Sequence, residues 1–153
     1  WAQETGAGRN SMSDDQALYF LDTNIIVHAY DQHDPQKMHI AREILRQGLR
    51  EKNVFISAQV LGEFFVVMTK KIQQPLAPDS VLEIIEALGT LPLIEVDYPL
   101  VVQAIALHIQ YKISYWDALI VAAAQRSRCD SLLTEDLKDG EIYNGVKVHN
   151  PFK

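Results

Sequence analysis

The chain has 153 residues, enough for one domain that buries close to ~70% of the surface its unfolded form would expose. Its apolar content of 48% and charged content of 22% exclude a largely disordered protein. The net charge of −6 excludes a basic surface that coats nucleic acid by displacing counter-ions.

The first eleven residues, WAQETGAGRNS, are polar and lack the apolar core of a signal peptide. Met12 reads as a native start, so residues 1–11 are expected to be an appended segment and 12–153 the folded domain. No run of 18 apolar residues occurs, so no membrane span is expected. A single cysteine, Cys129, has no partner for an internal disulfide; a reducing, cytoplasmic setting and a packing role are expected for it.

Leu18 to Leu21 reads as a short buried strand, followed by Asp22-Thr23-Asn24 and a brief helix that runs through Tyr30 until Asp34-Pro35 breaks it. From Gln36 to Glu51, Met38, Ala41, Ile44, Leu45 and Leu49 recur at helical spacing, with Arg42, Arg46 and Arg50 stacked on another face. Those arginines suit RNA phosphates, an acidic partner segment, or a solvated face. Val54 to Ile56 is a second strand, and Ser57 caps the next helix. There Val60, Leu61, Phe64, Phe65 and Met68 form the expected core stripe, with Glu63 off its centre and Val66 and Val67 leaving an apolar surface that another element or chain should cover. A further helix spans Asp79 to Leu88 and ends at Gly89.

Leu93 to Val96 is a third strand, and Asp97 caps a helix to about Tyr111. Ser114 then starts a helix whose residues Ala118 to Ala124 are apolar on every side, as a buried central element requires. Ser131 to Thr134 makes a fourth strand, and Val146 to Val148 a fifth after an Asn144-Gly145 turn. Alternating short apolar strands and helices predict an α/β domain with a central parallel sheet of four or five strands, covered by helices on both faces.

Four acids sit in or beside apolar segments: Asp22, Glu63, Asp117 and Asp136. Each alone has a structural reading. Asp22 and Asp117 suit helix capping, Asp136 a polar loop, Glu63 a solvated face. Together they favour chemistry, because strand ends on one edge of a parallel sheet would gather them where ligands bind. Two carboxylates at 4 Å without a counter-ion repel by roughly 4 kcal/mol at an effective dielectric of 20, and a hard cation removes that cost. The histidines His28, His33, His39, His108 and His149 show no zinc-like spacing and are expected in surface or capping roles. Tyr115 and Trp116 have the chemistry to stack on a base, although core packing is the expectation for Trp116.

The order LDTN, Ser57 and Glu63 around one helix, WDA leading a small-residue helix, and Thr134-x-Asp136 after a strand resembles the PIN domain. With LLTEDLKDG and the closing HNPF, it further resembles the VapC toxins of type II toxin–antitoxin modules. This resemblance, from Leu18 to Phe152, implies a single PIN-like domain with a five-stranded parallel sheet. It implies a Mg²⁺- or Mn²⁺-dependent endoribonuclease, usually a homodimer, held inactive by a VapB-type antitoxin. Carried over by residue, Asp22, Glu63, Asp117 and Asp136 match the acidic quartet, and Asn24 and Thr134 the residues that support it. Asp22 and Asp117 are then the expected direct metal ligands, with Glu63 and Asp136 completing the shell; Glu135 and Asp139 are alternatives for part of the fourth acid's role. Three other readings compete: a PIN nuclease of RNA maturation or quality control outside a toxin system, a haloacid-dehalogenase-like phosphatase, and a non-catalytic RNA-binding module. The phosphatase would need a second Asp where Asn24 stands.

Overall fold

A computed structural model describes residues 16–153; the expectation for residues 1–11 falls outside them. The chain winds as β1 (Tyr19–Leu21), α1 (Thr23–Tyr30), α2 (Pro35–Glu51), β2 (Val54–Ser57), α3 (Ala58–Val66), α4 (Pro78–Leu88), β3 (Leu93–Ile94), α5 (Tyr98–Tyr111), α6 (Tyr115–Arg126), β4 (Ser131–Leu133), β5 (Ile142–Tyr143) and β6 (Val146–His149). The helices start where the sequence places polar caps. Asp34 accepts from the Lys37 amide, Ser57 from Val60, Asp97 from Leu100 and Ser114 from Asp117. Pro35 both stops α1's continuation and opens α2 at its first turn, where a missing N–H costs nothing.

The strands form one sheet in the order β3-β2-β1-β4-β6-β5. Every pair is parallel except β5 with β6, a small antiparallel hairpin turned at Asn144 and Gly145, both at positive φ. The two-residue edge strand β5 is an addition to the expected set. In the centre, Phe20 of β1 is in register with Phe55 of β2 and Leu132 of β4. From β1 the chain proceeds outward in one direction through β2 and β3, then returns to the other side of β1 with β4. The carboxyl ends of β1 and β4 therefore flank the topological switch point, where open α/β sheets leave a crevice.

α6 lies in the interior as expected, with Ala118 through Ala124 all buried, and Cys129 just after it is buried too. Burial pushes the Cys129 thiol up to about 11, which suits an inert packing residue. Three side chains depart from the expected core. Leu49 is exposed because α2 meets the sheet along Ala41, Leu45 and Gly48, one position earlier. A methyl group at Gly48 would lie 2.5 Å from Val54, so that contact admits hydrogen alone. Phe65 is exposed, since Val60, Phe64 and Met68 already fill the inward stripe of α3. Trp116 is 61% exposed rather than packed in the core, because the inward face of α6 begins only at Ala118.

α3 does not end cleanly at Val66. It continues into one wide π-helical turn, Val67–Lys71, a distortion that often sits beside functional sites. Among the described residues, no helix is long and apolar enough to cross a membrane.

Candidate functional site

A cleft of about 590 Å³ opens at the carboxyl ends of β1 and β4. Asp22, Glu63, Asp117 and Asp136 all line it, as do Asn24 and Glu135. The chain brings them there by separate routes. Asp22 follows the last residue of β1, and its amide donates to Leu133 O of β4 at 3.0 Å, so the two strand ends are locked together. Asp136 follows β4, Glu63 comes from the middle of α3, and Asp117 from the first turn of α6.

Asp22 is the most enclosed of the four, at 5% exposed. One carboxylate oxygen accepts from the Thr23 amide at 2.7 Å and the other from the Thr134 hydroxyl at 2.8 Å. Burial pushes its pKa up to about 7; the Thr134 hydroxyl and Thr23 amide pull against that shift, and the charges of Asp136 and Glu63 add to it. The Asp117 carboxyl is raised as well, again by burial first, with Asp136 and Glu63 contributing after the opposing Ser114 hydroxyl. Mutual repulsion is thus present at the site, but desolvation is the larger cause.

Asn24 joins the strand ends. Its Nδ2 donates to Thr134 Oγ1 at 3.1 Å and to Asp136 Oδ2 at 3.0 Å, and lies 3.4 Å from Asp22 Oδ2. Its Oδ1 accepts from the Glu135 amide at 3.3 Å. Thr134, fully buried, also accepts from the Asp136 amide at 3.0 Å. An amide with both donor and acceptor is needed at Asn24; a second carboxylate would lose the donations and bring another negative charge beside Asp22.

Three residues at the site had no site role in the sequence reading, His28 among them, which was expected in a surface or capping role. Thr23 donates its hydroxyl to Glu63 Oε1 at 2.7 Å, coupling α1 to α3. Gln59, one turn before Glu63, donates Nε2 to Glu63 Oε2 at 3.2 Å and to the Trp116 carbonyl at 3.1 Å, coupling α3 to α6. His28 lines the cleft one turn after Asn24 and meets Glu135 Oε2 at 2.7 Å. The spacing of four residues from an identified site residue was the available signal for Gln59 and His28. Glu135 also meets Lys37 Nζ at 2.8 Å. Burial works to raise its pKa, and Lys37 and His28 outweigh it and hold the carboxyl below its usual range. Phe152 closes this corner, its ring edge-on to His28 and under the Lys37 ammonium. Asp139 lies elsewhere, accepting from the Asn150 amide at 2.8 Å.

Val66, Val67, Ile120 and Trp116 give the cleft an apolar wall, and Lys71 on the π-helical turn brings a cation to its lining. Val66 is exposed as expected, whereas Val67 packs partly against the core. Among the described residues, no three carboxylate, histidine or cysteine side chains are gathered tightly enough to hold a metal ion. Both oxygens of Asp22 and both of Glu63 are engaged by hydrogen-bond donors. The four acids nonetheless present only oxygen, the donor type that fits a hard divalent cation and not zinc.

An acidic cleft at the switch point of a mostly parallel sheet is where open α/β proteins bind their ligands. The PIN domain profile matches residues 19–141, and the chain belongs to this family of nucleases. No curated protein sequence matches the chain. Among solved structures it is similar to a toxin–antitoxin complex from Klebsiella pneumoniae, at 25% identity and TM-score 0.65, over 89% of this chain and 98% of that one. It also resembles DNA-bound VapBC from Salmonella typhimurium, at 19% identity and TM-score 0.65, over 89% and 99% of the two chains. A third is a Mycobacterium tuberculosis VapC toxin that cleaves the sarcin–ricin loop, at 18% identity and TM-score 0.59, over 74% and 86%.

Proposed function

We propose that the chain is a divalent-metal-dependent endoribonuclease, acting as the toxin of a type II toxin–antitoxin pair. The observation that carries this reading is the convergence of Asp22, Glu63, Asp117 and Asp136 on one cleft at the ends of β1 and β4. The toxin–antitoxin complexes among its structural relatives support the biological setting.

Asp22 and Asp117 would hold Mg²⁺ or Mn²⁺ directly, with Glu63 and Asp136 completing the shell. What such an ion supplies is a more acidic bound water and neutralisation of the charge that builds on the phosphate oxygens. The protein's own part is positioning. Thr134 and Asn24 fix the planes of Asp22 and Asp136, while Thr23 and Gln59 fix Glu63. Glu63 or Asp136 takes the proton of the attacking water. Lys71 meets the RNA backbone and Trp116 offers a face for a base.

The partners follow from the same reading: an RNA substrate, a second copy of the chain, and a VapB-type antitoxin that blocks the cleft. Growth arrest on expression, relieved by co-expression of a VapB-type antitoxin, is the expected behaviour in cells. Unimpaired growth at high expression would leave a nuclease of RNA maturation as the better account.

A further inference from the structure

We propose that His28 and Lys37 are positioning residues that hold the carboxylate of Glu135 away from the ion the other four acids would bind. The proposal rests on the metal-dependent reading above and says how the cleft limits the number of its ligands.

Asp22, Glu63, Asp117, Glu135 and Asp136 all line the same cleft. Glu135 precedes Asp136, and its amide donates to Asn24 Oδ1 while Asn24 Nδ2 donates to Asp136 Oδ2. The backbone of Glu135 is thus tied into the site, and its side chain alone leaves. A glutamate rotates about several bonds, so an unheld carboxylate here would be drawn to a cation beside Asp136. Two partners prevent it. Lys37 Nζ, from α2, donates to Oε1 at 2.8 Å, and His28 of α1 meets Oε2 through Nε2 at 2.7 Å. Both oxygens are occupied, each by a different helix.

Helix physics does not ask for a cation at position 37. Lys37 stands in the first turn of α2, where the positive end of the helix dipole favours an acid. Its pairing with Glu135 accounts for it. Phe152, from the HNPF segment after β6, completes the arrangement: its ring lies edge-on to His28 at 4.9 Å between centroids, with Lys37 Nζ 5.3 Å from its own centroid. The Phe152 amide donates to Asn150 Oδ1 at 2.9 Å, which fixes the turn that presents the ring. A ring against both partners excludes water from one side of the pair and strengthens it.

A fifth carboxylate on the ion would tighten its binding, because affinity for hard cations rises with the charge of the ligand set. It would also take a position that water or a phosphate oxygen needs. Tighter metal binding with slower turnover is therefore the signature of a released Glu135, whereas general damage to the site lowers both.

The test compares the parent with Lys37→Met, Phe152→Ala and Lys37→Met/Glu135→Gln. Mn²⁺ affinity is measured without RNA by calorimetry and by the spin resonance of free Mn²⁺, and kcat and KM for RNA cleavage are measured on the same samples. Lys37→Met should bind Mn²⁺ about tenfold more tightly, with a lower kcat and a KM little changed. Phe152→Ala should move in the same direction by less. It alters no charge, so its tighter site reports the release of Glu135 and not the loss of the lysine's field; should Lys37→Met melt without cooperativity, this variant decides alone. The double variant should return Mn²⁺ affinity to within about twofold of the parent and recover turnover. Unchanged or weaker Mn²⁺ binding in Lys37→Met, a gain absent from Phe152→Ala, or no rescue in the double variant overturns the proposal while the parent's own Mn²⁺ binding upholds the metal reading. A parent that binds no Mn²⁺ overturns that reading, and the role of His28 and Lys37 with it.

Discussion

Replacing Asp22 by Asn should stabilise the metal-free protein, and the gain should depend on pH. In the folded chain the Asp22 pKa stands at about 7, raised from 3.8 mainly by burial. The native state thus holds this proton more tightly than the unfolded state. Asp22's contribution is fully present below about pH 4, declines as pH rises, and is lost above about pH 7. Three units at ~1.4 kcal/mol each set the span of the effect at about 4 kcal/mol. Asparagine keeps an acceptor for the Thr23 amide, but its own N–H group then meets the Thr134 hydroxyl and the Asn24 amide, at a pH-independent cost of about 1–2 kcal/mol. The two proteins should therefore differ little, or the variant be slightly weaker, at pH 4–5. By pH 8 the variant should be ahead by about 2 kcal/mol, or on the order of 5 °C in melting temperature for a chain of this length. Urea titrations in chelator from pH 4 to 8 measure this directly. Parallel stability curves for parent and Asp22→Asn would show that the buried carboxyl is not carrying the strain assigned to it.

Thr134→Val removes the hydroxyl that donates to Asp22 and accepts from Asn24 and Asp136. It should destabilise the fold by about 1–3 kcal/mol, most strongly above pH 7, where Asp22 is charged. Equal losses at pH 5 and 8 by chemical denaturation would contradict that dependence. Trp116→Ala should shift stability by no more than about 0.5 kcal/mol because the indole is largely exposed. The same change should weaken RNA binding by about 1–3 kcal/mol in fluorescence titrations, the value of one lost stacking platform. An unchanged RNA affinity would remove the indole from the substrate path.

Much of the fold was legible because its signals are local. Asp34, Ser57, Asp97 and Ser114 cap helices as their types and positions dictate, and the unbroken apolar run Ala118 to Ala124 could only be an interior helix. The two-residue β5 escaped because an edge hairpin of that length carries no periodic pattern. The exposure of Leu49, Phe65 and Trp116 escaped for another reason: each lies about one helical position off a stripe whose width depends on the packed neighbour. At the site, Asp22 and Asp136 were readable as strand-end residues and Asn24 and Thr134 only through the family resemblance; the structure gathers Asp22, Asn24 and Asp136 in one cleft with Glu63 and Asp117, and Thr134 bonds to them from beneath. The couplings Thr23–Glu63 and Gln59–Trp116 were not readable, because they join helices whose relative placement exists only in three dimensions. Glu135 adjoins Asp136 in sequence yet is claimed by His28 and Lys37, a choice set by the side of α1 it faces.

The most direct measurement is RNA cleavage by the purified chain, with Mg²⁺, with Mn²⁺ and with chelator, beside Asp22→Asn and Asp117→Asn. Cleavage that requires an added divalent ion and disappears in both variants, while their melts remain cooperative, is the predicted result. Undiminished cleavage in chelator, or an Asp22→Asn protein as fast as the parent at saturating metal, would contradict the central claim that these carboxylates are the seat of the chemistry.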